Sequence, residues 1–259
     1  MTAPLLEGSG ITKRFKRGGE SFAAVDDASL TLGLGETLAV VGPSGSGKST
    51  LARLVLRLLE PDAGAIRFEG EDWLALSGGT LRHKRARMQA VFQDPLAAFN
   101  PRATVESAIA DPLRIHAVAP RTQRREQIAE LLRRVGLDPA LSSRTIHEIS
   151  GGQRQRVAIA RALASHPRLV VLDEATSALD VSVRGQVLDL LARLQAEENL
   201  SYLFISHDLA VVHRFAHHVA VMDGGRIVET GTVDAVISDP QSRIARTLLA
   251  AAPRLNRKA

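Results

Sequence analysis

Eight residues, Gly42-Pro43-Ser44-Gly45-Ser46-Gly47-Lys48-Ser49, constrain this chain more than any other stretch of it. They follow the apolar run Leu38-Ala39-Val40-Val41 and precede Leu51, Leu54, Val55 and Leu58, spaced i, i+3, i+4, i+7. A short apolar run is a buried strand, and that spacing is one face of a helix, so the chain passes here from strand to loop to helix. The loop fits G-x-x-x-x-G-K-[ST], whose glycines let successive backbone N–H groups turn inward onto phosphate oxygens. The following helix adds the partial positive charge of its N-terminus. In that setting Lys48 reaches the β- and γ-phosphates, the Ser49 hydroxyl meets Mg²⁺ and Thr50 meets the α-phosphate. A plain flexible glycine loop is the alternative. Four fixed positions would recur by chance on the order of one per cent of the time in a chain this long.

Two more apolar runs have the same polar punctuation at their C-terminal ends. Leu169-Val170-Val171-Leu172 ends in Asp173-Glu174, and Tyr202-Leu203-Phe204-Ile205 ends in Ser206-His207-Asp208. Between them Val183, Val187, Leu190, Leu191 and Leu194 form a helical stripe. Strands of this kind alternating with helices predict an α/β fold with a parallel sheet covered on both faces, its ligands at the carboxyl ends of the strands. The first 35 residues read as β-rich and turn-punctuated, around Gly18-Gly19 and Gly33 to Gly35. Residues 95–160 carry Pro95, Pro101 and Pro112 and then a helical pattern over 121–135, with Ile128, Leu131, Leu132 and Val135 on one stripe. No strand pattern is evident there, which predicts a helical subdomain inserted into the core. After Pro240 a short helix and a basic end are expected.

Composition removes other classes. The 259 residues are 45% hydrophobic and 24% charged, which excludes extensive disorder. No run of about 18 apolar residues is present, so no bilayer-spanning helix is expected. The opening MTAPLLEGSG lacks the basic and apolar regions of a secretory signal. Cysteine is absent, which excludes disulfides, thiol nucleophiles and iron–sulfur clusters and reads as cytosolic. The net charge of +5 could favour nucleic acid or an anionic membrane surface, but it is spread along the chain, which favours solubility as its explanation. With Trp 1, Tyr 1 and Phe 7, a base-stacking platform for single-stranded nucleic acid is disfavoured.

The strand-end residues suggest chemistry. Asp173 is expected to hold Mg²⁺ opposite Ser49. Glu174, next along, is expected to stay off the metal and polarise an attacking water as general base. A capping role for the Asp-Glu pair is the alternative. His207 is a candidate for contacting the γ-phosphate, against an ordinary solvated or capping His-Asp pair. Gln93 is a candidate for touching both metal and water, although a lone glutamine at a strand end says little. Ser150-Gly151-Gly152-Gln153, ahead of the apolar-periodic Val157, Ile159, Ala160 and Leu163, forms a second anion site at a helix N-terminus. One bound nucleotide has no use for two such loops on one chain. A symmetric head-to-tail pair uses both, each loop closing on the other's nucleotide.

Taken together these residues resemble an ABC transporter ATP-binding subunit. The phosphate loop, a Q-loop at Gln93, the signature Ser150-Gly151-Gly152-Gln153, a Walker B stretch over 169–174, a D-loop Ser177-Ala178-Leu179-Asp180 and a switch histidine His207 appear in the family's order across about residues 11–231. Ile149 stands where the family most often has Leu. The resemblance implies a P-loop NTPase with a RecA-like parallel-sheet core, an N-terminal antiparallel β subdomain and an inserted helical subdomain. The corresponding segments are 1–94, 95–160, 161–238 and a tail at 239–259. It implies ATP and Mg²⁺, with Ser49, Gln93 and Asp173 at the metal and Glu174, His207 and Gln93 catalytic. It also implies that Phe15 stacks on adenine, a role it fits better than Phe22.

Phe92-Gln93-Asp94-Pro95 followed by Phe99-Asn100-Pro101-Arg102 is similar to the peptide and nickel importer branch. So is the tail, Asp239-Pro240-Gln241-Ser242-Arg243 and then Ala252-Pro253-Arg254-Leu255, although Asp239 and Gln241 replace His and Tyr. The branch implies peptide uptake, with nickel, a chelated metal or an opine-type solute as the alternative. Its partners would be two integral membrane permeases, a second ATPase subunit (a copy or a paralogue) and, indirectly, an extracytoplasmic solute-binding protein, with no nucleic acid. The place implied is the cytoplasmic face of the inner membrane, peripherally. ABC-type ATPases that act on DNA carry a long coiled-coil insertion, for which the spacing from Gln93 to Ser150 leaves no room.

Overall fold

The computed structural model describes residues 3–100 and 102–251, which form two compact units, 3–76 with 199–251 and 77–198. Pro101 and the Ala252-Pro253-Arg254-Leu255 stretch lie outside the described residues.

The first unit opens with β1 (Leu6–Arg17) and β2 (Glu20–Leu32), an antiparallel pair in which Leu6 faces Leu32 and Phe15 faces Phe22. Next come β3 (Thr37–Val41), α1 (Lys48–Val55), β4 (Ala63–Phe68) and β5 (Glu71–Asp72). β4 lies antiparallel to β1, giving a four-stranded sheet in the order β2-β1-β4-β5. This is the antiparallel β subdomain that the resemblance implies. All five residues of β3 are buried, as a strand covered on both faces requires. The α1 stripe buries Leu51, Leu54 and Val55 but ends sooner than the spacing predicts. Arg57 adopts a left-handed φ of 52° and turns the chain, so Leu58 is 57% exposed and does not belong to the stripe. Trp73 takes the apolar place there. Its Nε1 donates to Val55 O at 3.0 Å and its ring meets Phe68 edge-on at 5.5 Å.

The second unit contains α2 (Gly78–Arg85), β6 (Met88–Phe92), α3 (Val105–Ile115), α4 (Arg124–Arg134), α5 (Gly151–Leu163), β7 (Leu169–Asp173) and α6 (Val181–Glu198). β6 and β7 are parallel neighbours, from Met88 opposite Leu169 to Phe92 opposite Asp173. The helix predicted over 121–135 is α4, with Ile128, Leu131 and Leu132 inward. α3 was not predicted, because Pro112 reads as a breaker. Its ring is instead buried on a stripe with Val105, Ala108, Ile109 and Leu113, and the Thr104 side chain caps the helix by accepting from Ser107 N at 3.1 Å. Along α6 the buried stripe is Val187, Leu188, Leu190, Leu191 and Leu194, while Val183 is half-buried.

The chain then returns to the first unit with β8 (Ser201–Ile205), α7 (Leu209–Phe215), β9 (His218–Asp223), β10 (Arg226–Thr232), α8 (Val233–Ser238) and α9 (Arg243–Ala250). β3 lies parallel between β8 and β9, Val40 facing Ile205 on one side and Ala220 on the other, and β10 pairs antiparallel with β9. Among the described residues no helix is long and apolar enough to cross a membrane.

Candidate functional site

In the first unit the glycine loop leaves β3 and enters α1 with a backbone that no other residue type could follow. Gly42 has φ 157°, and a Cβ there would stand 2.2 Å from Met222 O on β9. Gly47, the N-cap of α1, has φ 104°, and its Cβ would stand 2.2 Å from Ala24 O on β2. Gly225 N donates to Ser46 O at 3.0 Å and Gly225 O accepts from Asp26 N at 2.9 Å, stitching the loop to its surroundings. No side chain caps α1, and the N-terminus of a helix is where an anion is favoured. Lys48 is 5% exposed, and its Nζ donates to Gly42 O at 2.9 Å and Pro43 O at 2.8 Å. The ammonium thus braces the loop from inside, and the cradle is formed in advance. Pro43, Ser44 and Gly45 are exposed, Ser46 is buried, and Ser49 and Thr50 are half-buried on the first turn of α1.

Two other elements of this unit bear on the loop. β8 is the parallel neighbour of β3, and His207 follows it, exposed, between Ser206 and Asp208. Asp208 caps α7 by accepting from Ala210 N at 2.9 Å, and Ser206 Oγ accepts from Asp208 N at 3.0 Å. The capping role therefore falls to the aspartate, and His207 is exposed beside it. Phe15 on β1 is half-buried, 6.1 Å from the Phe22 ring, with Lys13 Nζ 5.9 Å above it. It lies outside the apolar core of the sheet. Ala24, which abuts Gly47, is two residues along the strand from Phe22, a spacing of about 7 Å.

In the second unit the register of β6 and β7 brings three expected residues together. Phe92 is opposite Asp173, so Gln93 and Glu174 are the first residues beyond the ends of two adjacent strands, which run about 5 Å apart. Asp173 is 6% exposed, Glu174 half-buried and Gln93 exposed. Glu174 has φ 48°, a left-handed backbone that is uncommon for a side chain of this kind. Its carbonyl accepts from Ser177 N at 3.0 Å and Ser177 Oγ at 2.9 Å, a strap that holds the turn. Asp180, exposed, begins α6 by accepting from Arg184 N at 2.8 Å.

The Ser150-Gly151-Gly152-Gln153 segment is the N-terminus of α5. Ser150 Oγ accepts from Gln153 N at 3.2 Å and Gln153 Oε1 accepts from Ser150 N at 2.9 Å, a reciprocal capping box. The serine hydroxyl, used there as acceptor, keeps its proton to donate. A Cβ on Gly152 would stand 2.7 Å from Val183 Cγ1, so that glycine is required by α6. Nothing lies within 4 Å of where a Gly151 Cβ would be, so that glycine leaves open space over the helix start.

Arg161 is the residue that sequence reasoning missed. From α5 it donates Nη1 to Ala98 O at 2.9 Å and lies 5.5 Å over the buried Phe99 ring, tying the segment after Gln93 to the helix that Ser150 caps. The contact spans 63 positions, and no local pattern signals it.

Residues 25–177 match the family model described as ABC transporter. The glutathione import ATP-binding protein GsiA of Salmonella paratyphi A is 49% identical over 257 residues, covering 96% of this chain and 41% of that protein. The chain thus spans about two fifths of that relative's length. A Sinorhizobium fredii protein named "Probable peptide ABC transporter ATP-binding protein y4tS" is 48% identical over 260 residues, covering 98% of this chain and 74% of that protein. Among solved structures, the dimeric ATP-binding cassette MJ0796 in a post-hydrolysis state with ADP and Pi has a TM-score of 0.80 at 28% identity, covering 88% of this chain and 98% of the other.

Proposed function

The chain belongs to the ABC transporter family, and from that membership we propose that it is the ATP-hydrolysing subunit of an importer that takes up peptides. The relative named for glutathione import and the relative named as a probable peptide ABC transporter ATP-binding protein support the direction and the substrate class. The single observation that most supports nucleotide chemistry is the preformed loop. It combines a buried Lys48 ammonium braced on the Gly42 and Pro43 carbonyls with an uncapped helix N-terminus.

The proposed roles follow from side-chain chemistry. Lys48 and the backbone N–H groups of residues 44–50 hold the triphosphate, and Phe15 supports the adenine ring. The Ser49 hydroxyl, the Asp173 carboxylate and the Gln93 amide oxygen are hard oxygen donors of the kind Mg²⁺ takes, and the burial of Asp173 suits a carboxylate that meets a cation. When bound, Mg²⁺ neutralises charge on the phosphate oxygens. Glu174 orients a water in line with the γ-phosphorus and accepts its proton, and His207 holds a γ-phosphate oxygen. Ser150 donates its hydroxyl proton, and Gly152 its N–H, to the nucleotide of a second ATPase subunit, a copy or a paralogue. Catalysis is then mostly positioning and charge stabilisation.

The remaining proposals concern assembly. Residues 95–160 form the helical signature subdomain between core segments 1–94 and 161–238, with 239–259 as a tail. Two integral membrane permeases receive the motion through the segment after Gln93, and an extracytoplasmic solute-binding protein delivers the peptide. The subunit is peripheral, on the cytoplasmic face of the inner membrane, and takes no nucleic acid.

Ser150→Arg tests the shared nucleotide. The isolated variant is expected to bind Mg-ATP as the parental chain does and to fail in ATP-driven dimerisation, read by size-exclusion chromatography with light scattering. A variant that still dimerises normally on ATP would reject a lid built from Ser150.

A further inference from the structure

In the second unit, α2, the end of α3 and the turn after α5 line a pocket of about 370 Å³ that opens to the surface and is lined by none of the strand-end residues. Arg82, His83, Arg87, His116, Ser165 and His166 face it, and no carboxylate is among the residues that line it. Its walls are fixed by hydrogen bonds. Arg82 Nη2 donates to Ile115 O at 3.1 Å, joining α2 to the end of α3. Ser165 Oγ donates to Ala86 O at 2.7 Å and Arg168 N to Arg87 O at 2.8 Å, joining the chain after α5 to the end of α2.

Three imidazoles in one cavity suggest a metal, but among the described residues no group of three such side chains is close enough to hold one. The alternative use of imidazoles beside guanidinium groups is an anion. An arginine fork binds phosphate through two parallel hydrogen bonds, and each imidazole adds a donor. A volume of 370 Å³ is of the size that takes a small molecule rather than a lone ion.

We propose that this cavity binds a phosphate-bearing small anion, either a soluble phosphorylated metabolite or the phosphomonoester headgroup of a lipid. The charge arrangement inside it fits an anion acceptor. His116 titrates below the usual histidine value because it is partly buried and because Arg82 and His83 repel its proton. From α2 it faces Arg82 and His83, from the chain beyond α2 Arg87, and from the turn after α5 His166. An entering phosphate reverses that balance and raises the affinity of His116 for a proton. By linkage, binding tightens as pH falls through the histidine range.

The test is nuclear magnetic resonance of the full chain labelled in histidine, titrated with inorganic phosphate in one arm. In the other arm the probe is vesicles of phosphatidylcholine with or without phosphatidic acid. Phosphate is expected to move the His116 and His166 signals saturably and to raise the pKa of His116. Arg82→Glu is expected to weaken that response at least tenfold, the scale of one charge-assisted bond. The same variant should leave the His207 response and Mg-ATP binding intact, which shows that it is folded. His166→Asn, with a smaller change, serves if Arg82→Glu does not fold. A response only to vesicles with phosphatidic acid assigns the lipid source, and a response to free phosphate assigns the soluble one. Silence of His116 and His166 in both arms, or equal responses in parental and Arg82→Glu protein, overturns the proposal.

Discussion

The end of β3 and the end of β7 present chemistry in opposite ways. After β3 the unusual backbone is carried by glycines. Gly42 and Gly47 take values of φ that cost them little, and carbonyl groups of β9 and β2 fill the space a side chain would need. After β7 the left-handed residue is Glu174 itself, a non-glycine held by the Ser177 strap. The first region is a cradle shaped by its backbone, to which Lys48 and the Ser49 hydroxyl add the side chains proposed to act. In the second, the side chain proposed to act is also the one whose backbone is strained, by about 1 kcal/mol or more. Binding can thus be built from conformationally free residues, whereas an acid–base group must keep its side chain and depends on neighbours to hold its conformation.

The sharpest way to break that comparison is Glu174→Gln. The amide has nearly the same shape and keeps the turn, but it cannot accept a proton. ATP turnover is expected to fall on the order of 10²-fold or more with Mg-ATP binding retained. Hydrolysis at the parental rate would remove Glu174 as the base and leave its strained backbone without a proposed use. Gly47→Ala probes the other region. A methyl group 2.2 Å from Ala24 O at φ 104° forces the loop to move, and a stability loss of about 2 kcal/mol is expected, read as a lower melting temperature together with weaker Mg-ATP binding. An unchanged melting temperature would show that the cradle yields, and that the contrast with Glu174 is one of degree.

Much of this was legible because it is local. Leu38 to Val41, Leu169 to Leu172 and Tyr202 to Ile205 are continuous apolar runs, and all three are buried strands. The glycine loop announces itself by residue type. α3 was hidden because a proline in a helix interior normally breaks it, and here tertiary burial of Pro112 outweighs that tendency. β10 was hidden because its apolar residues Ile227 and Val228 are neighbours, so its sequence does not show the alternation that its exposure does, and none of its residues is buried. Leu58 was misassigned because spacing does not reveal that the chain turns at Arg57. At the candidate site, Gln93, Asp173 and Glu174 were chosen by type and position. That Phe92 stands opposite Asp173 depends on strands 77 residues apart, counted from β6 position 92 to β7 position 169, and no window of sequence reports such a pairing. The positive φ of Glu174 and the grip of Arg161 on Ala98 and Phe99 are products of packing in the same way.

The smallest change that separates the two regions is Ser177→Ala. The hydroxyl donates to Glu174 O at 2.9 Å, while the backbone N–H of the same residue donates at 3.0 Å and survives the substitution. Half of the strap is lost, at a cost of about 1 kcal/mol, which for a chain of this length lowers the melting temperature by roughly 2–4 °C. If the hydroxyl also sets the direction of the Glu174 carboxylate, turnover falls several-fold while Mg-ATP affinity stays where it was, because the phosphate cradle is untouched. Ser177→Thr keeps the hydroxyl and is expected to restore turnover. A loss of melting temperature with full turnover in Ser177→Ala would make the strap a matter of stability alone. The conformation of Glu174 would then be held by the Ser177 N–H bond to its carbonyl, in the way that backbone groups hold the glycine loop.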